Sequence, residues 1–204
     1  MLQLDDPLAI PLWINGHAYL TMAPAFLDVR SPASGKILRR TPLCGAAAAR
    51  TAVAAAQVAL LPWAAHDAAL RSTWFAALGE ALAGYADHFA RLITEETGKD
   101  GDAAAAEVSA AVALLRAAVA GNAAGVLGVV GDTAMPLLSA LQFAVPALLA
   151  GATVVVRPSP EAPSALFALA ELTGRCGFPG GVFNILHGGE EAVEGLRAAG
   201  AEIL

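Results

Sequence analysis

One strand–helix–strand unit, residues 151–189, constrains the fold of this chain of 204 residues more than any other segment. Residues 154–156 are consecutive valines without a polar break, which is typical of a strand buried on both faces of a sheet. Residues 162–176 carry apolar side chains near helical spacing, and residues 182–186 form a second apolar strand. In such units, ligands bind at the loops that follow the carboxyl ends of the strands. We therefore expect a binding site near the ends of these strands.

The rest of the pattern predicts short strands near the amino terminus and a series of helices after them. The strands are predicted at 12–14, 25–30, 37–40 and 123–130, and the helices at 46–61, 67–84, 85–96, 103–120, 136–150 and 190–199. We expect Pro62 to end the first helix, and Asp67 and Asp102 to cap the amino termini of two later ones. The predicted fold class is α/β, a Rossmann-like open sheet with flanking helices. We expect one domain over 1–204, with a strand-rich segment at 1–44, a helical segment at 45–122 and a βαβ core at 123–204.

The charge balance weighs against nucleic acid as a partner. The chain has 12 basic and 18 acidic residues, a formal net charge of −6, and no basic stripe that would follow a phosphate backbone. Asp5 and Asp6 put acid where a secretory signal peptide needs basic residues. The low number of cysteines fits a reducing compartment. Together these features predict a cytoplasmic protein.

One apolar window raises the alternative of a membrane protein. Hydrophobic residues make up 57% of the chain, and its mean hydropathy is +0.60. Residues 134–156 carry no charge and are about long enough to cross a bilayer. Pro136, Pro146 and Gly151 interrupt this window, and the valines at its end suit a strand. We favour a buried helix followed by a buried strand, and we expect no membrane contact.

The two cysteines, Cys44 and Cys176, are candidates for a nucleophile or for metal ligands. A reactive thiolate needs a helix amino terminus, a cation or a histidine nearby. Cys44 lies where a strand gives way to a loop, and Cys176 lies at the carboxyl end of a helix, where the helix dipole opposes a thiolate. Their spacing matches neither a zinc site nor a disulfide scaffold. We expect both to be structural, and we assign no catalytic and no metal-binding residue.

Several short motifs, in order along the chain, resemble the aldehyde dehydrogenase superfamily, specifically its amino-terminal NAD-binding half. They are Trp13-Ile14-Asn15-Gly16, Ser31-Pro32-Ala33-Ser34-Gly35-Lys36, Glu95-Glu96-Thr97-Gly98-Lys99, Glu107-Val108, Arg157-Pro158-Ser159 after the valines, Gly177-Phe178-Pro179-Gly180-Gly181-Val182, and Gly188-Gly189. The likeness covers nearly the whole chain, and it implies the family's Rossmann-like fold and an NAD or NADP cofactor. The cofactor contacts that it implies are Val130, Thr133, Arg157, Ser159, Gly188 and Gly189.

The chain departs from the family pattern at positions that matter for catalysis. Ala134 stands where the family has an asparagine that donates to the oxyanion, a donor worth roughly 3–4 kcal/mol. Arg157 replaces the family's ribose-binding lysine, and Pro160 replaces the acidic residue that assists it. The segment at residues 120–129 is short, so we expect the family's oligomerisation hairpin to be absent. We also expect the chain to stop before the family's phosphate turn, glutamate base and cysteine nucleophile.

Three side chains each keep two interpretations. Arg157 either contacts a ligand or forms a salt bridge with Glu161, four residues on. His187 either caps a strand end or touches a nucleotide. Arg71 resembles a family arginine, but we favour a surface or ion-paired cation.

The glycine pair before the last helix also keeps two interpretations. Gly188 and Gly189 either let the backbone approach a ligand or make a tight turn into the helix. Glu190 and Glu191 follow at once; they stabilise the helix dipole, but they would repel a phosphate at that place. We therefore expect any binding of NAD or NADP to be weak or vestigial.

Two functions from different classes follow from the resemblance. The first is an accessory or regulatory homologue that lacks the catalytic Cys and Glu, is inactive alone and binds NAD(P) weakly at most. The alternative is one half of an NAD(P)-dependent aldehyde oxidoreductase that a separate catalytic chain completes; a decayed gene fragment without function is a third possibility. Residues 190–199 resemble the family's dimer helix, and a truncated sheet leaves an edge uncovered. We therefore expect a homo-oligomer, or pairing with a full-length aldehyde dehydrogenase or another subunit.

Overall fold

The computed structural model describes residues 7–204, so the acidic start at Asp5 and Asp6 lies outside the described residues. The strands are β1 (Leu12–Ile14), β2 (His17–Tyr19), β3 (Phe26–Arg30), β4 (Ile37–Pro42), β5 (Val126–Val130), β6 (Thr153–Arg157), β7 (Phe183–Ile185) and β8 (Glu202–Ile203). The helices are α1 (Ala46–Ala65), α2 (Ala68–Gly84), α3 (Ala86–Thr97), α4 (Gly101–Arg116), α5 (Leu138–Ala150), α6 (Ser164–Arg175) and α7 (Glu190–Ala198). Strands and helices alternate from β5 onwards, as in α/β proteins.

The central sheet has six strands in the order β2-β1-β7-β6-β5-β8. The pairings β7–β6, β6–β5 and β5–β8 are parallel, and the β1–β2 hairpin joins β7 in the antiparallel sense. Strands β3 and β4 form a separate antiparallel pair. The predicted class, an α/β fold with a Rossmann-like open sheet and flanking helices, is confirmed.

The valine run in β6 is buried on both faces of the sheet, as predicted. All three valines have 0% exposure. Val154 and Val156 belong to one hydrophobic cluster, which also contains Leu141 of α5. Val155 belongs to a second cluster, which contains Leu196 of α7. Side chains alternate between the two faces along a strand, so the two clusters lie on opposite faces of the sheet. Helices therefore cover both faces, and the loops at the strand ends are left free to form a site.

Helix α1 continues through Pro62 to Ala65, so the prediction that Pro62 ends the helix was wrong. A proline inside a helix lacks the N–H that would bond to the carbonyl four residues earlier. Here that residue is Val58, which is 79% exposed. Solvent can therefore replace the missing hydrogen bond, and the helix tolerates the proline.

Two aspartates cap helix amino termini; one of them, Asp67, was predicted, and the other is Asp100 instead of the predicted Asp102. The side chain of Asp67 accepts from the N–H of Leu70 at 2.7 Å, which confirms the predicted cap of α2. For α4 the cap is Asp100, which accepts from the N–H of Ala103 at 2.8 Å. Asp102 was expected in that role, but it lies in the first turn of the helix, where its charge favours the helix dipole.

Arg71 of α2 is buried and binds the carboxyl ends of two helices, so the expectation of a surface or ion-paired cation was wrong. Its Nε donates to the carbonyl of Leu149 in α5 at 2.8 Å. Its Nη1 donates to the carbonyls of Trp63, Ala64 and His66 at the end of α1. Neither α1 nor α5 has a basic residue in its last turn. Arg71 therefore supplies, from a neighbouring helix, the positive charge that both carboxyl ends favour.

The apolar window at residues 134–156 folds into α5, which has 13 residues, and β6. A helix of that length is shorter than the roughly 20 residues that a membrane-spanning helix needs. Within residues 7–204, no helix combines the length and the apolar character required to cross a bilayer.

Candidate functional site

The loops after β5, β6 and β7 lie at one edge of the sheet, because these strands are parallel. They comprise residues 131–137, 158–163 and 186–189, and we call this region the carboxyl edge. The N–H of Gly131 donates to the carbonyl of Arg157 at 2.9 Å, which links the first two loops. Strand β5 has β6 on one side and β8 on the other. After β5 the chain adds β6 and β7 on one side of this strand and then β8 on its other side. Open α/β sheets bind ligands at the point where the order of the strands changes direction in this way.

Two predicted site residues are in direct contact at the carboxyl edge. The hydroxyl oxygens of Thr133 and Ser159 lie 2.7 Å apart, and the N–H of Glu161 donates to the Ser159 hydroxyl at 3.3 Å. Val130, the last residue of β5, is half-buried. A cavity of about 330 Å³ is lined by Thr133 and Glu161 together with residues of β3. The hydroxyl pair can donate to, or accept from, a bound molecule.

Arg157 ends β6 with a guanidinium that forms no ion pair within the described part of the chain. Its Nη1 donates to the carbonyl of Pro158 at 3.2 Å, and its buried Nε has no partner. The alternative of a salt bridge to Glu161 was therefore wrong. Burial lowers the pKa of Arg157, and the charge of Glu190 acts in the opposite direction. A half-buried cation with an unsatisfied donor can bind an acceptor from a ligand.

The adjacent glycines of the third loop have different surroundings. A Cβ on Gly188 would lie 2.5 Å from the Cβ of Ala192 and 2.7 Å from the carbonyl oxygen of Cys44, and the residue has a φ of +155°. A Cβ on Gly189 would meet nothing within 4 Å. The chain therefore needs glycine at position 188 for its own packing, whereas Gly189 adjoins open space. Contact of either glycine with a cofactor stays a prediction.

Buried carboxylates from distant helices occupy the amino termini of α5 and α6. The Oε1 atom of Glu107 in α4 accepts from the N–H groups of Leu137 and Leu138 at 2.9 and 3.1 Å. Glu96 of α3 accepts from the N–H of Ser164 at 3.1 Å and from its hydroxyl at 2.6 Å. Neither α5 nor α6 has a side-chain cap of its own or an acidic residue in its first turn. These carboxylates therefore satisfy N–H donors that a helix leaves free at its start.

Each of the two capping carboxylates has a cationic partner. The Nζ atom of Lys99 lies 2.6 Å from Oε2 of Glu107 and also donates to the carbonyl of Ala134 at 2.6 Å. The Nε atom of Arg39 lies 2.8 Å from Oε1 of Glu96. Burial raises the pKa of Glu96, against the lowering effect of its hydrogen bonds and of Arg39. Through Lys99, the loop at residues 131–137 is attached to α4.

No role was predicted for these capping residues. Glu96, Lys99 and Glu107 lie in motifs that resemble those of the family, but their partners are far away in the chain. Ala134, in contrast, is exposed, and its side chain has no donor. Only its carbonyl is engaged.

His187 is fully buried directly after β7. Its Nε2 lies 3.1 Å from the carbonyl oxygen of Pro11, so Nε2 must carry the proton. Complete burial lowers the pKa of His187 to about 3. These contacts agree with the interpretation of His187 as a polar cap at a strand end, and they leave no exposed imidazole atom for a nucleotide.

We expect His187 to make the domain acid-sensitive. The unfolded chain takes up a proton on this histidine below its ordinary pKa of about 6.5, while the folded chain does so only near pH 3. Stability is therefore unaffected above pH 6.5 and falls as the pH drops towards 3, with a loss of about 2 kcal/mol between pH 7 and pH 5. Urea unfolding at both pH values measures this loss. The His187→Gln variant keeps an N–H donor but does not titrate, so its loss of stability over the same interval should be smaller by about 2 kcal/mol. An unchanged pH dependence would contradict the prediction.

The cysteines have the surroundings of structural residues. Burial raises the pKa of Cys44 to about 11, and burial also raises the pKa of the half-buried Cys176. Both therefore stay protonated at neutral pH, which supports the structural interpretation. In the described range, 7–204, no three histidine, cysteine, aspartate or glutamate side chains are grouped as metal ligands would be.

A parallel sheet with a cation and hydroxyls at its carboxyl edge is typical of nucleotide-binding α/β domains. The family model described as "Aldehyde dehydrogenase family" matches residues 20–124 and 116–200. The chain therefore belongs to the aldehyde dehydrogenase family, which confirms the resemblance stated above.

Known relatives agree with this assignment. The chain is 34% identical, over 206 aligned residues, to an NADP(+) succinate-semialdehyde dehydrogenase of Escherichia coli strain K12. The alignment covers 88% of this chain and 42% of that enzyme. The structure of a lactaldehyde dehydrogenase superposes with a TM-score of 0.85 at 28% identity, covering 94% of this chain and 45% of the other. An aldehyde dehydrogenase structure from Brucella melitensis biovar abortus 2308 gives a TM-score of 0.84 at 27% identity, covering 96% and 46%. The chain thus spans less than half the length of these relatives.

Proposed function

We propose that this chain is an NAD(P)-binding domain of the aldehyde dehydrogenase type, with weak cofactor affinity and an accessory or regulatory role. The observation that carries the proposal is Arg157. It places a guanidinium with an unpartnered Nε, and with no carboxylate paired to it, at the carboxyl end of a central parallel strand. That is the position at which α/β sheets hold nucleotides.

The residues present at the carboxyl edge fit such a cofactor. Arg157 can donate to its ribose oxygens, and the hydroxyls of Thr133 and Ser159 are further candidates for polar contacts. The open space at Gly189 allows close approach of a bound molecule. When bound, the nicotinamide ring of such a cofactor supplies hydride acceptance. Glu190 at the start of α7 puts negative charge near the same edge, which accounts for weak affinity.

An accessory role is favoured over catalysis by this chain alone. The exposed methyl group of Ala134 cannot donate to an oxyanion, and one such donor contributes roughly 3–4 kcal/mol to transition-state stabilisation. Burial keeps Cys44 and Cys176 as thiols rather than thiolates. The described residues therefore support binding of a cofactor more than they support chemistry on an aldehyde.

Calorimetric titration of the purified chain with NAD⁺ and NADP⁺ tests the proposal. We expect binding in the range of about 1 mM or somewhat tighter, and weaker binding of both cofactors in the Arg157→Met variant, because the charge-assisted contacts disappear. The Arg175→Met variant is a matched control, since Arg175 lies at the end of α6 and is hydrogen-bonded to Tyr85 at 3.4 Å. It should bind like the unmodified chain. Absence of heat with both cofactors at millimolar concentration would reject cofactor binding.

The alternative function is that of an oxidoreductase half completed by a separate catalytic chain. It is favoured by the hydrogen bonds that fix the conformation of the loop at residues 131–137. Lys99 donates to the carbonyl of Ala134, and Asp132 accepts from the N–H of Met135 at 2.7 Å. Mixing the chain with a purified catalytic half and an aldehyde, and following the formation of NADH by absorbance, distinguishes the two functions. Turnover that requires both chains would establish the alternative, and its absence would leave the accessory role.

Pairing with another chain is part of the proposal, either as a homo-oligomer or with a full-length aldehyde dehydrogenase or another subunit. Support comes from β2, an edge strand of the central sheet in which all residues are exposed. Leu20 and Met22 directly after it are 81% and 100% exposed. Such an edge with apolar neighbours is a surface that proteins tend to cover. Helix α7 gives less support, because its apolar side chains are already buried within the chain.

A further inference from the structure

Helix α1 carries a continuous uncharged row of exposed side chains on the side that faces away from the protein. On its other side, the buried residues of α1 belong to the two hydrophobic clusters of the core. The exposed row, which we call the outer seam, consists of Ala47, Thr51, Ala54, Val58, Leu61 and Ala65. Val58 and Leu61 are 79% and 78% exposed. Residues 7–204 leave these two side chains uncovered, so the outer seam can contact another molecule.

The outer seam has the spacing of a helix face that packs against a second helix. Its members follow one another at alternating intervals of four and three residues, from Ala47 to Ala65. This is the spacing of the a and d positions of a coiled coil, which meet the partner helix along one line. Single exposed apolar residues are normal on a protein surface, whereas a connected apolar row indicates an interaction site.

The order of large and small side chains makes the outer seam complementary to itself. When two copies of α1 lie antiparallel and are centred at residue 56, Val58 of one copy faces Ala54 of the other. In the same arrangement Leu61 faces Thr51, and the twofold axis repeats each contact. Each large side chain then fills the space above a small one, as close packing requires. A parallel pair would instead place Leu61 on Leu61 and leave voids between the alanines.

The charges at the two ends of α1 also favour an antiparallel pair. Arg50 is exposed in the second turn of the helix, and Asp67 is exposed two residues after its last residue. In an antiparallel pair, Arg50 of one copy lies at the same end as Asp67 of the second copy, so opposite charges meet at both ends. A parallel pair would bring like charges together and would align the two helix dipoles unfavourably. The outer seam itself contains no charge that association would bury.

We propose that the outer seam is the surface through which two copies of this chain associate, with their α1 helices antiparallel. This inference rests on the pairing included in the proposed function and names the surface that would carry it. Helix α1 has 20 residues and is therefore about 30 Å long. A contact along one face of such a helix is smaller than the roughly 800 Å² per partner of a typical stable interface. We therefore expect a reversible dimer with a dissociation constant of roughly 10–100 µM.

Sedimentation velocity of the whole chain, at concentrations from below to well above this range, tests the association. Leu61→Lys should weaken the dimer at least about tenfold, because it puts a charge into the centre of the contact. Val119→Lys is the matched control, since Val119 is 76% exposed and lies outside α1. It should leave the dissociation constant unchanged. Both positions are exposed, so the variants should fold, and circular dichroism checks that they do.

The direction of the two helices is tested by cross-linking through introduced cysteines. In the antiparallel pair, position 47 of one copy faces position 65 of the other, while the two copies of either position lie far apart. A mixture of the Ala47→Cys and Ala65→Cys chains should therefore form a disulfide-linked dimer under mild oxidation, and neither variant should do so alone. A cross-link within each variant alone would show a parallel pair and overturn the proposed arrangement.

The remaining outcomes separate the outer seam from the rest of the proposed function. A chain that stays monomeric at every concentration would overturn this inference and the homo-oligomer, while cofactor binding is decided independently by calorimetry. A dimer that persists in Leu61→Lys but is lost in Leu20→Lys would place the contact at the edge strand β2. That result would overturn the role of α1 and keep the pairing of the chain with itself.

Discussion

Replacement of Gly188 by alanine is expected to destabilise the domain by about 3–5 kcal/mol. The added Cβ would lie 2.5 Å from the Cβ of Ala192 and 2.7 Å from the backbone oxygen of Cys44. Neither atom is the end of a flexible side chain, so relief requires that α7 or the loop at Cys44 move. The φ of +155° adds backbone strain for any residue with a Cβ. Urea unfolding followed by circular dichroism measures the loss.

Gly189→Ala is the matched control for this prediction. A Cβ at Gly189 would meet nothing within 4 Å, and its φ of −87° is accessible to alanine. We expect a change in stability within about 0.5 kcal/mol. Similar losses of stability for both variants would show that any added side chain in this loop is destabilising, and that the close packing at Gly188 is not the cause. The pair thereby separates the two interpretations of these glycines, tight packing and access for a ligand.

Local signals were sufficient to predict much of the fold. The valine run identified β6, because an uninterrupted β-branched segment has to be buried on both faces. Asp67 identified the start of α2, and Gly98, with a φ of +72°, ends α3 in the left-handed conformation that favours glycine. In each case the residue acts on its own element, so the sequence carries the signal within a few positions.

Capping over long distances could not be predicted in the same way. Glu107 caps α5 from 30 positions away and Glu96 caps α6 from 68 positions away. Arg71 reaches α5 across 78 positions. In a sequence each of them is a charged residue on an amphipathic helix, and its expected place is the surface. Only the packing of the helices brings these charges to the helix ends that need them.

The candidate site was predictable in its place but not in its electrostatics. The order of strand, loop and helix placed Arg157 and Ser159 at the carboxyl edge, since parallel strands end on the same side. The spacing to Glu161 suggested a salt bridge, as it would on a helix surface. Arg157 ends a strand, so that spacing does not bring the two side chains together. The acid whose charge acts on Arg157 is instead Glu190, the first residue of α7.

The second large effect is expected for Arg71. Its guanidinium donates to Leu149 at the end of α5 and to the three carbonyls at the end of α1. Arg71→Met keeps most of the apolar stem but removes the charged donor from these carbonyls, of which that of Leu149 is buried. Hydrogen bonds from charged groups contribute more than neutral ones, and unsatisfied buried acceptors carry a desolvation cost, so we expect a loss of about 3–5 kcal/mol. The free energy of unfolding in urea measures it.

Arg116→Met shows whether that loss reflects burial rather than the removal of any arginine. Arg116 of α4 forms an ion pair with Glu80 at 2.9 Å, with the two side chains 47% and 69% exposed. Solvent weakens such a pair, so this variant should change stability by less than about 1 kcal/mol. Arg71→Lys keeps the charge without the planar fork, and it should recover only part of the loss, because one ammonium cannot reach both helix ends. If Arg71→Met lowered the free energy of unfolding as little as Arg116→Met, Arg71 would not be the residue that joins α1 to α5. The packing of apolar side chains between those helices would then have to account for their arrangement.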